Sequence, residues 1–119
     1  MRDYIGIIKE TDYVSLAFYV DYENIIQLGK KLEAINENAY MNGYNWEALL
    51  NCYIEHNCSE LSDSFELDSE AGMYSAIFEG SPKGAELADK LAEIIEDLVE
   101  NEEKLFDFVR EYGDEIEWD

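Results

Sequence analysis

Two different spacings of apolar residues constrain what this chain of 119 residues can fold into. In residues 13–20 apolar side chains recur at every second position, whereas in residues 25–35 they recur at every third or fourth position. A period of two indicates a β-strand with one buried face, and a period of three to four indicates an amphipathic helix. The chain therefore combines sheet and helix, and its 47% of hydrophobic residues is enough to bury a core.

A β-hairpin is predicted near the N-terminus. Residues 4–8 supply its first strand, residues 9–12 the polar connection and residues 13–20 its second strand. A third strand is predicted over residues 73–78, where two sets of side chains alternate: Met73, Ser75 and Ile77, and Tyr74, Ala76 and Phe78. Between the hairpin and this strand, residues 59–70 are polar and acidic, and they predict a loop.

Four helices are predicted from apolar stripes and from residues that favour helix ends. The first covers residues 22–38, and the third extends to about Val99. The expected N-caps are, in chain order, Asp21, Asn45, Ser81 and Asn101. Pro82 at the first helical position strengthens the start of the third helix, and Gly113 is expected just after the last one.

The side of each helix that faces the core follows from its apolar stripe. The four stripes are Ile25, Leu28, Leu32 and Ile35; Trp46, Leu49, Leu50, Tyr53 and Ile54; Leu87, Leu91, Ile94, Ile95 and Leu98; and Leu105, Phe108, Val109 and Tyr112. Asn42 and Gly43 predict a turn before the second helix, because both tolerate a positive φ. Trp46, in the first turn of that helix, is interpreted as a core anchor rather than as part of a ligand site.

The predicted order of elements is ββααβαα, which is typical of an α+β fold. In this fold a small antiparallel sheet, made of the N-terminal hairpin and the third strand, is covered by four helices. Residues 1–119 are expected to form a single domain, since one core normally accounts for a chain of this length. Residues 114–119 are expected to form an acidic tail or a short terminal strand.

The chain is strongly acidic, with 29 Asp and Glu residues against 8 Lys and Arg residues and a net charge of -21. Residues 32–82 contain ten acidic residues and no Lys or Arg. Such a charge repels nucleic acid and anionic membranes, and it speeds the encounter with a basic partner. The composition is equally compatible with a surface that only keeps the protein soluble, because net charge bears on solubility and association and not on fold.

The sequence carries no nucleophile–base pattern, phosphate-binding loop or dinucleotide fingerprint, which argues against an enzyme, a cofactor and a small-molecule substrate. Cys52 and His56 are four residues apart and share a helix face, with Cys58 nearby. These residues supply only half of a tetrahedral zinc site, so no metal is expected. With two cysteines, no signal peptide and no apolar run of about 18 residues, a cytoplasmic protein is expected.

Three segments of the chain are distinctive as sequences: "MNGYNWEALLNCYI", "EAGMYSAIFE" and "NEEKLFDFVREYGDEIEWD". In the same order and over nearly the whole chain, they resemble the immunity protein 51 family of bacterial polymorphic toxin systems. The resemblance implies an α+β fold and a protein that binds and neutralises a toxin encoded beside it, inside the producing cell or its kin. It also implies stoichiometric inhibition without turnover, and so a protein that is not an enzyme.

Under this resemblance, the acidic surface is expected to dock on a basic toxin domain such as a nuclease, which needs a basic groove to hold phosphate. Candidate contacts are residues in the predicted loop and tail, where charge is exposed and function concentrates. They are Glu66, Asp68, Glu70, Glu115, Glu117 and Trp118. Each acidic residue among them is also compatible with an ordinary solvated surface position.

Three other interpretations remain open, of which a structural interaction module in a larger assembly has no specific sequence feature in its favour. An acidic protein that mimics nucleic acid would inhibit a DNA- or RNA-binding protein through the same electrostatics, without a toxin gene beside it. A small enzyme or metal protein built around His56, the only histidine of the chain, is the third interpretation.

Overall fold

The computed structural model describes residues 2–118, and this part of the chain forms four strands and four α-helices. In chain order they are β1 (Ile5–Lys9), β2 (Tyr13–Tyr19), α1 (Glu23–Ile35), α2 (Gly43–Asn57), β3 (Phe65–Leu67), β4 (Met73–Glu79), α3 (Pro82–Glu100) and α4 (Glu102–Tyr112). The α+β class and the order of the predicted elements are confirmed. The sheet has one strand more than predicted, because β3 lies in the segment for which a loop is predicted.

The prediction of a loop over residues 59–70 is wrong at β3. Only three residues form this strand, which is too short for an alternating pattern to be recognised in the sequence. Phe65 lies opposite Phe78 of β4, and the centroids of the two rings are 5.1 Å apart. The strand is therefore stabilised by a cross-strand contact that cannot be predicted from the sequence of this segment alone.

The sheet is antiparallel throughout, with the strand order β1–β2–β4–β3. In its centre, Leu16 of β2 lies opposite Ala76 of β4. Phe18 and Tyr74 form the next pair on the same face, and all four side chains are fully buried. Helices α2 and α3 pack on this face, while the alternating side chains, such as that of Tyr19, point the other way and are partly exposed. The helices thus cover one face of the sheet.

The start of α1 differs from the prediction. Val20 still lies beside the sheet, because its N–H donates to the Gly72 carbonyl at 3.1 Å. Asp21 is therefore too early in the chain to cap the helix, and Tyr22 occupies the N-cap position without a side-chain hydrogen bond. The helix begins at Glu23.

The end of α1 also comes earlier than residue 38, where it is predicted. Asn36 leaves the helical conformation, with φ -140° and ψ 115°. Its Oδ1 accepts a hydrogen bond from the Asn38 N–H at 2.9 Å. This local turn competes with the helix, as asparagine side chains often do, and the helix ends at Ile35.

The N-cap of α2 is Asn42, and the prediction of Asn45 is wrong. Asn42 Oδ1 accepts from the Asn45 N–H at 2.9 Å, which places Asn45 inside the first turn, where it is buried. The positive φ expected in the preceding turn lies at Met41, at 54°. Gly43 already belongs to the helix, and its N–H donates to the Ala71 carbonyl at 2.7 Å.

The starts of the last two helices are confirmed. Ser81 caps α3, because its Oγ accepts from the Gly84 N–H at 3.0 Å, and Pro82 is the first helical residue. Asn101 occupies the N-cap of α4, without a side-chain hydrogen bond. Gly113 follows α4 as predicted, although its φ of -55° is right-handed and not left-handed.

Trp46 is an anchor of the core, as predicted. Its side chain is 1% exposed, and its ring meets Phe18 of the sheet edge to face, with centroids 5.0 Å apart. An edge-to-face pair of this kind adds to the free energy that burial of the two rings contributes. The apolar stripes predicted for the four helices are all buried or half-buried, so the helices present the expected sides to the core.

Gly43 lies where α2 meets the turn between β3 and β4. A Cβ atom at this position would be 1.8 Å from the carbonyl oxygen of Glu70 and 2.7 Å from that of Met73. Both are backbone atoms, so a side chain cannot be accommodated by a simple rotation of a neighbour. Only glycine permits this approach of the two backbones.

Replacing Gly43 by Ala is expected to destabilise the protein by about 1–3 kcal/mol or more, since the added methyl group must displace the backbone near Glu70. Gly72→Ala is the matched control, because a Cβ there would meet only Asp21 Oδ2, at 3.9 Å. Urea unfolding followed by circular dichroism measures both free energies of unfolding. An unchanged value for Gly43→Ala would contradict the close approach.

Candidate functional site

A groove between α2 and the residues that follow α4 is the strongest candidate for a functional site. We call residues 113–118 the C-terminal segment. The groove has a volume of about 360 Å³ and is lined by Tyr44, Glu47, Ala48, Asn51, Cys52, Glu55, Glu115, Glu117 and Trp118. We call it the acidic groove, because carboxylates line it and neither Lys nor Arg does.

Helix α2 forms one wall of the acidic groove. Glu47, Asn51 and Glu55 follow one another at steps of four residues, so they form a polar stripe along one side of the helix. Another side of the same helix carries Trp46 and Leu50 into the core. Because that side is buried in the core, the helix is held in place and its polar stripe stays at the groove.

The C-terminal segment forms the other wall. It consists of turns and irregular backbone, so of the two alternatives for residues 114–119 the short terminal strand is wrong for the described part, while Asp119 lies outside the described residues. Ile116 is only 4% exposed. Trp118 is half-buried, and its Nε1 donates to the Gly113 carbonyl at 3.0 Å. These contacts hold the two glutamates of the segment at the groove.

His56 joins the two walls. Its Nε2 is 2.9 Å from Glu115 Oε1, and its ring stacks on Tyr112 with centroids 4.2 Å apart. Cys52 lies one helical turn before His56, and the potential ligand atoms of Cys52, His56 and Glu115 all lie within 4.8 Å of one another. The sequence indicates only the first two of these, because Glu115 is 59 residues further along the chain than His56.

Both cysteines are free. Burial, followed by the negative charges of Glu115 and Glu55, raises the pKa of the Cys52 thiol to about 11. The thiolate is the reactive form of cysteine, and little of it is present at neutral pH when the pKa is raised. Cys52 is therefore expected to be a poor nucleophile.

In a chelating buffer near neutral pH, we expect iodoacetamide to modify Cys58 well before Cys52, because Cys52 is 7% exposed and its thiol stays protonated. Peptide mass spectrometry over time measures the two rates. The Cys58→Ser variant isolates the reaction of Cys52, and the same variant unfolded in urea gives its unprotected rate. Equal rates in the folded and unfolded variant would contradict the burial of this thiol.

The positive charges of the chain lie away from the acidic groove. Seven of the eight Lys and Arg residues form ion pairs with acids elsewhere. These pairs are Arg2–Glu100, Lys9–Asp89, Lys31–Glu102, Lys83–Glu86, Lys90–Glu60, Lys104–Asp97 and Arg110–Asp107. Within residues 2–118, Glu47, Glu55 and Glu117 pair with no Lys or Arg. The negative charge of the groove is therefore not neutralised by direct partners.

The six predicted contact residues fall into two sets. Those that line the acidic groove are Glu115, Glu117 and Trp118. The others are exposed and do not line it: Glu66 lies in β3 rather than in a loop, and Asp68 and Glu70 lie in the turn between β3 and β4. The structure brings the first set together at one site and keeps the second set apart from it.

A neighbouring groove leads from the acidic groove toward β3, but none of Glu66, Asp68 and Glu70 lines it. It has a volume of about 250 Å³ and shares Asn51 and Glu55 with the acidic groove. On its other side it reaches Asp63 and Phe65, the residue before Glu66. Helix α2 therefore lies between the C-terminal set and β3, and no Lys or Arg lines either groove.

Six residues that line the acidic groove are not among the predicted contacts: Tyr44, Glu47, Ala48, Asn51, Cys52 and Glu55. The signal that would have found this wall is the polar stripe at steps of four residues, on the side of α2 away from its apolar face.

The fold and the groove define a small acidic α+β protein with a negatively charged groove on its surface. A family model described as immunity protein 51 (Imm51) matches residues 6–114, and the chain belongs to this family. Neither a curated protein nor a solved structure matches the chain significantly. No helix within residues 2–118 combines the length and apolar character that crossing a membrane requires.

Membership in this family gives the class of function. It implies an immunity protein that binds a cognate toxin. Immunity proteins of this kind are generally not enzymes.

Proposed function

We propose that this protein neutralises a basic toxin domain by forming a stoichiometric complex through the acidic groove. Glu115, Glu117 and Trp118 are the proposed contacts in the groove, and Glu66, Asp68 and Glu70 extend the surface beyond α2. The observation that carries the proposal is the group of unneutralised carboxylates on both walls of one groove, in a chain of an immunity family.

In this proposal the carboxylates of the groove speed association with the toxin and select a partner that carries positive charge. Like charges close together repel one another, so this surface favours any partner that brings positive charge to it. A nuclease toxin has such a surface, since it must hold phosphate. The complex either covers the active site of the toxin or holds the toxin in an inactive state, and the immunity protein needs no catalytic residue or cofactor for either.

Aromatic side chains at the groove provide affinity. Trp118 is half-buried and Tyr44 is 40% exposed, and both line the groove beside the carboxylates. Tryptophan and tyrosine are common among the few residues that contribute most to binding, because they bury a large area with few rotatable bonds. Trp118 is already held by its hydrogen bond to Gly113, so little entropy is lost when a partner covers it.

The contact surface extends beyond the acidic groove. An interface of ordinary size involves about 20–30 residues on each side, whereas nine residues line this groove. The neighbouring groove provides a continuous path across α2 toward Asp63 and Phe65. Glu66, Asp68 and Glu70 stay in the proposed interface as exposed acids near the end of this path, although they line neither groove.

The proposed partner is thus a protein, and no nucleic acid, membrane or small molecule is proposed as a direct ligand. The complex is proposed to form in the cytoplasm of the producing cell. The residues 1–119 act as one domain, since the N-terminal strands, α2 and the C-terminal segment share one core.

The first test is co-expression with the toxin domain encoded by the neighbouring gene. We expect the two chains to purify together at a ratio of one to one and the immunity chain to restore growth. A toxin that kills the cell in the presence of this chain, and that does not purify with it, would refute the proposal.

The second test maps the surface with variants that keep the shape of the side chains. Glu115→Gln combined with Glu117→Gln should slow association, and Trp118→Ala should weaken Kd by about tenfold or more, which corresponds to ~1.4 kcal/mol. Surface plasmon resonance measures both. Rising salt should reduce the association rate of the wild type and have less effect on the double variant.

Two further sets of variants serve as comparison and control. The set Glu66→Gln, Asp68→Asn and Glu70→Gln tests the surface beyond α2. The control set removes the same number of charges from exposed acids of α1 and α3 and of the turn after α1: Glu33→Gln, Glu37→Gln and Glu93→Gln. The pair Glu33→Gln and Glu93→Gln removes two charges, as the groove double variant does. If this pair slows association as much as the groove double variant, total charge and not the acidic groove governs binding.

A further inference from the structure

Three side chains with different ligand chemistry meet where α2 passes the C-terminal segment. The thiol of Cys52, the imidazole of His56 and the carboxylate of Glu115 have their potential ligand atoms within 4.8 Å of one another. Ligand atoms around a tetrahedral zinc ion lie roughly 3.3–3.8 Å apart, given bond lengths of about 2.0–2.3 Å. Because His56 and Glu115 are exposed, small rotations of their side chains are enough to reach this range.

We infer that Cys52, His56 and Glu115 bind one zinc ion. The thiolate sulfur, one imidazole nitrogen and one carboxylate oxygen supply three ligands of a tetrahedral site, and the fourth position faces the acidic groove. A set that contains sulfur and nitrogen selects Zn²⁺ over Mg²⁺ and Ca²⁺, which prefer oxygen ligands.

The backbone prepares this arrangement in the absence of an ion. Cys52 and His56 share a face of α2 because they are four residues apart. The His56 ring is held by stacking on Tyr112, and Glu115 is held by the anchored C-terminal segment. Ligands that are already positioned lose little entropy when the ion binds, which favours affinity.

The charge around the site also favours a cation. Glu55 and Glu117 line the same groove and pair with no Lys or Arg within residues 2–118. The two positive charges of the ion stabilise the thiolate of Cys52, which is disfavoured in the metal-free protein. The ion would link α2 to the C-terminal segment and so stiffen both walls of the groove.

The test uses the full chain, freed of metal with a chelator and titrated with Zn²⁺ in a large excess of Mg²⁺. The Mg²⁺ occupies the many carboxylates that bind divalent ions without selectivity. Calorimetry is expected to give one tightly bound Zn²⁺ per chain. Substituting Co²⁺ is expected to give the absorption bands of tetrahedral Co²⁺ and a charge-transfer band from a thiolate.

Matched variants identify the ligands. His56→Ala and Glu115→Gln should each weaken Zn²⁺ binding by more than the roughly 10–100-fold that loss of a second-shell partner costs. Cys52→Ala should abolish the thiolate band. Cys58→Ala and Glu93→Gln, an exposed acid of α3, are the controls, and both should retain the wild-type affinity and spectrum.

The outcomes are distinct. Binding that is no tighter for Zn²⁺ than for Mg²⁺, or that His56→Ala leaves unchanged, would overturn the inference. Because Cys52 is buried, circular dichroism is used to check that the Cys52→Ala variant still folds. His56 is exposed, so the His56→Ala variant tests the site without disturbing the packing of the core. The inference is independent of the toxin complex, since every measurement is made on the immunity chain alone.

Discussion

The backbone contact between Gly43 and the turn after β3 determines where α2 lies, and much of the structure depends on α2. The contact leaves no room for a Cβ atom, so the first turn of the helix is held directly against the sheet connection. Asn42 caps the helix at this point, and Trp46 packs one turn further on against Phe18. With one end and one side fixed in this way, the opposite side of the helix is a rigid wall open to solvent.

The distribution of charge adds to this geometry. Exposed ion pairs contribute only about 0.2–1 kcal/mol each, so the pairs formed by most Lys and Arg residues have a small effect on stability. Their larger effect is to leave the acids of the groove without positive neighbours. Repulsion among these acids costs the free protein some stability, and a cationic ligand relieves that repulsion when it binds. The site is thus less stable alone than in a complex.

Sequence patterns predict those parts of the fold that repeat along the chain. The alternation in β2 and the apolar stripes of the helices identify elements and buried faces, because these patterns involve only residues that are close together in the sequence. Some of the missed features depend on distant contacts. Phe65 is extended because Phe78 lies opposite, and α2 starts early because Gly43 meets Glu70.

The same distinction applies to the candidate site. Glu115, Glu117 and Trp118 are predicted as contacts because charged residues near a chain end are usually exposed, and the structure does place them on one groove. Their neighbours on α2 are missed, since only the fold brings residue 115 to His56.

The division of α2 into a buried and an open side has a consequence for evolution. Substitutions at Glu47, Asn51 or Glu55 leave the core intact, so a lineage is free to diversify its recognition surface while the scaffold stays constant.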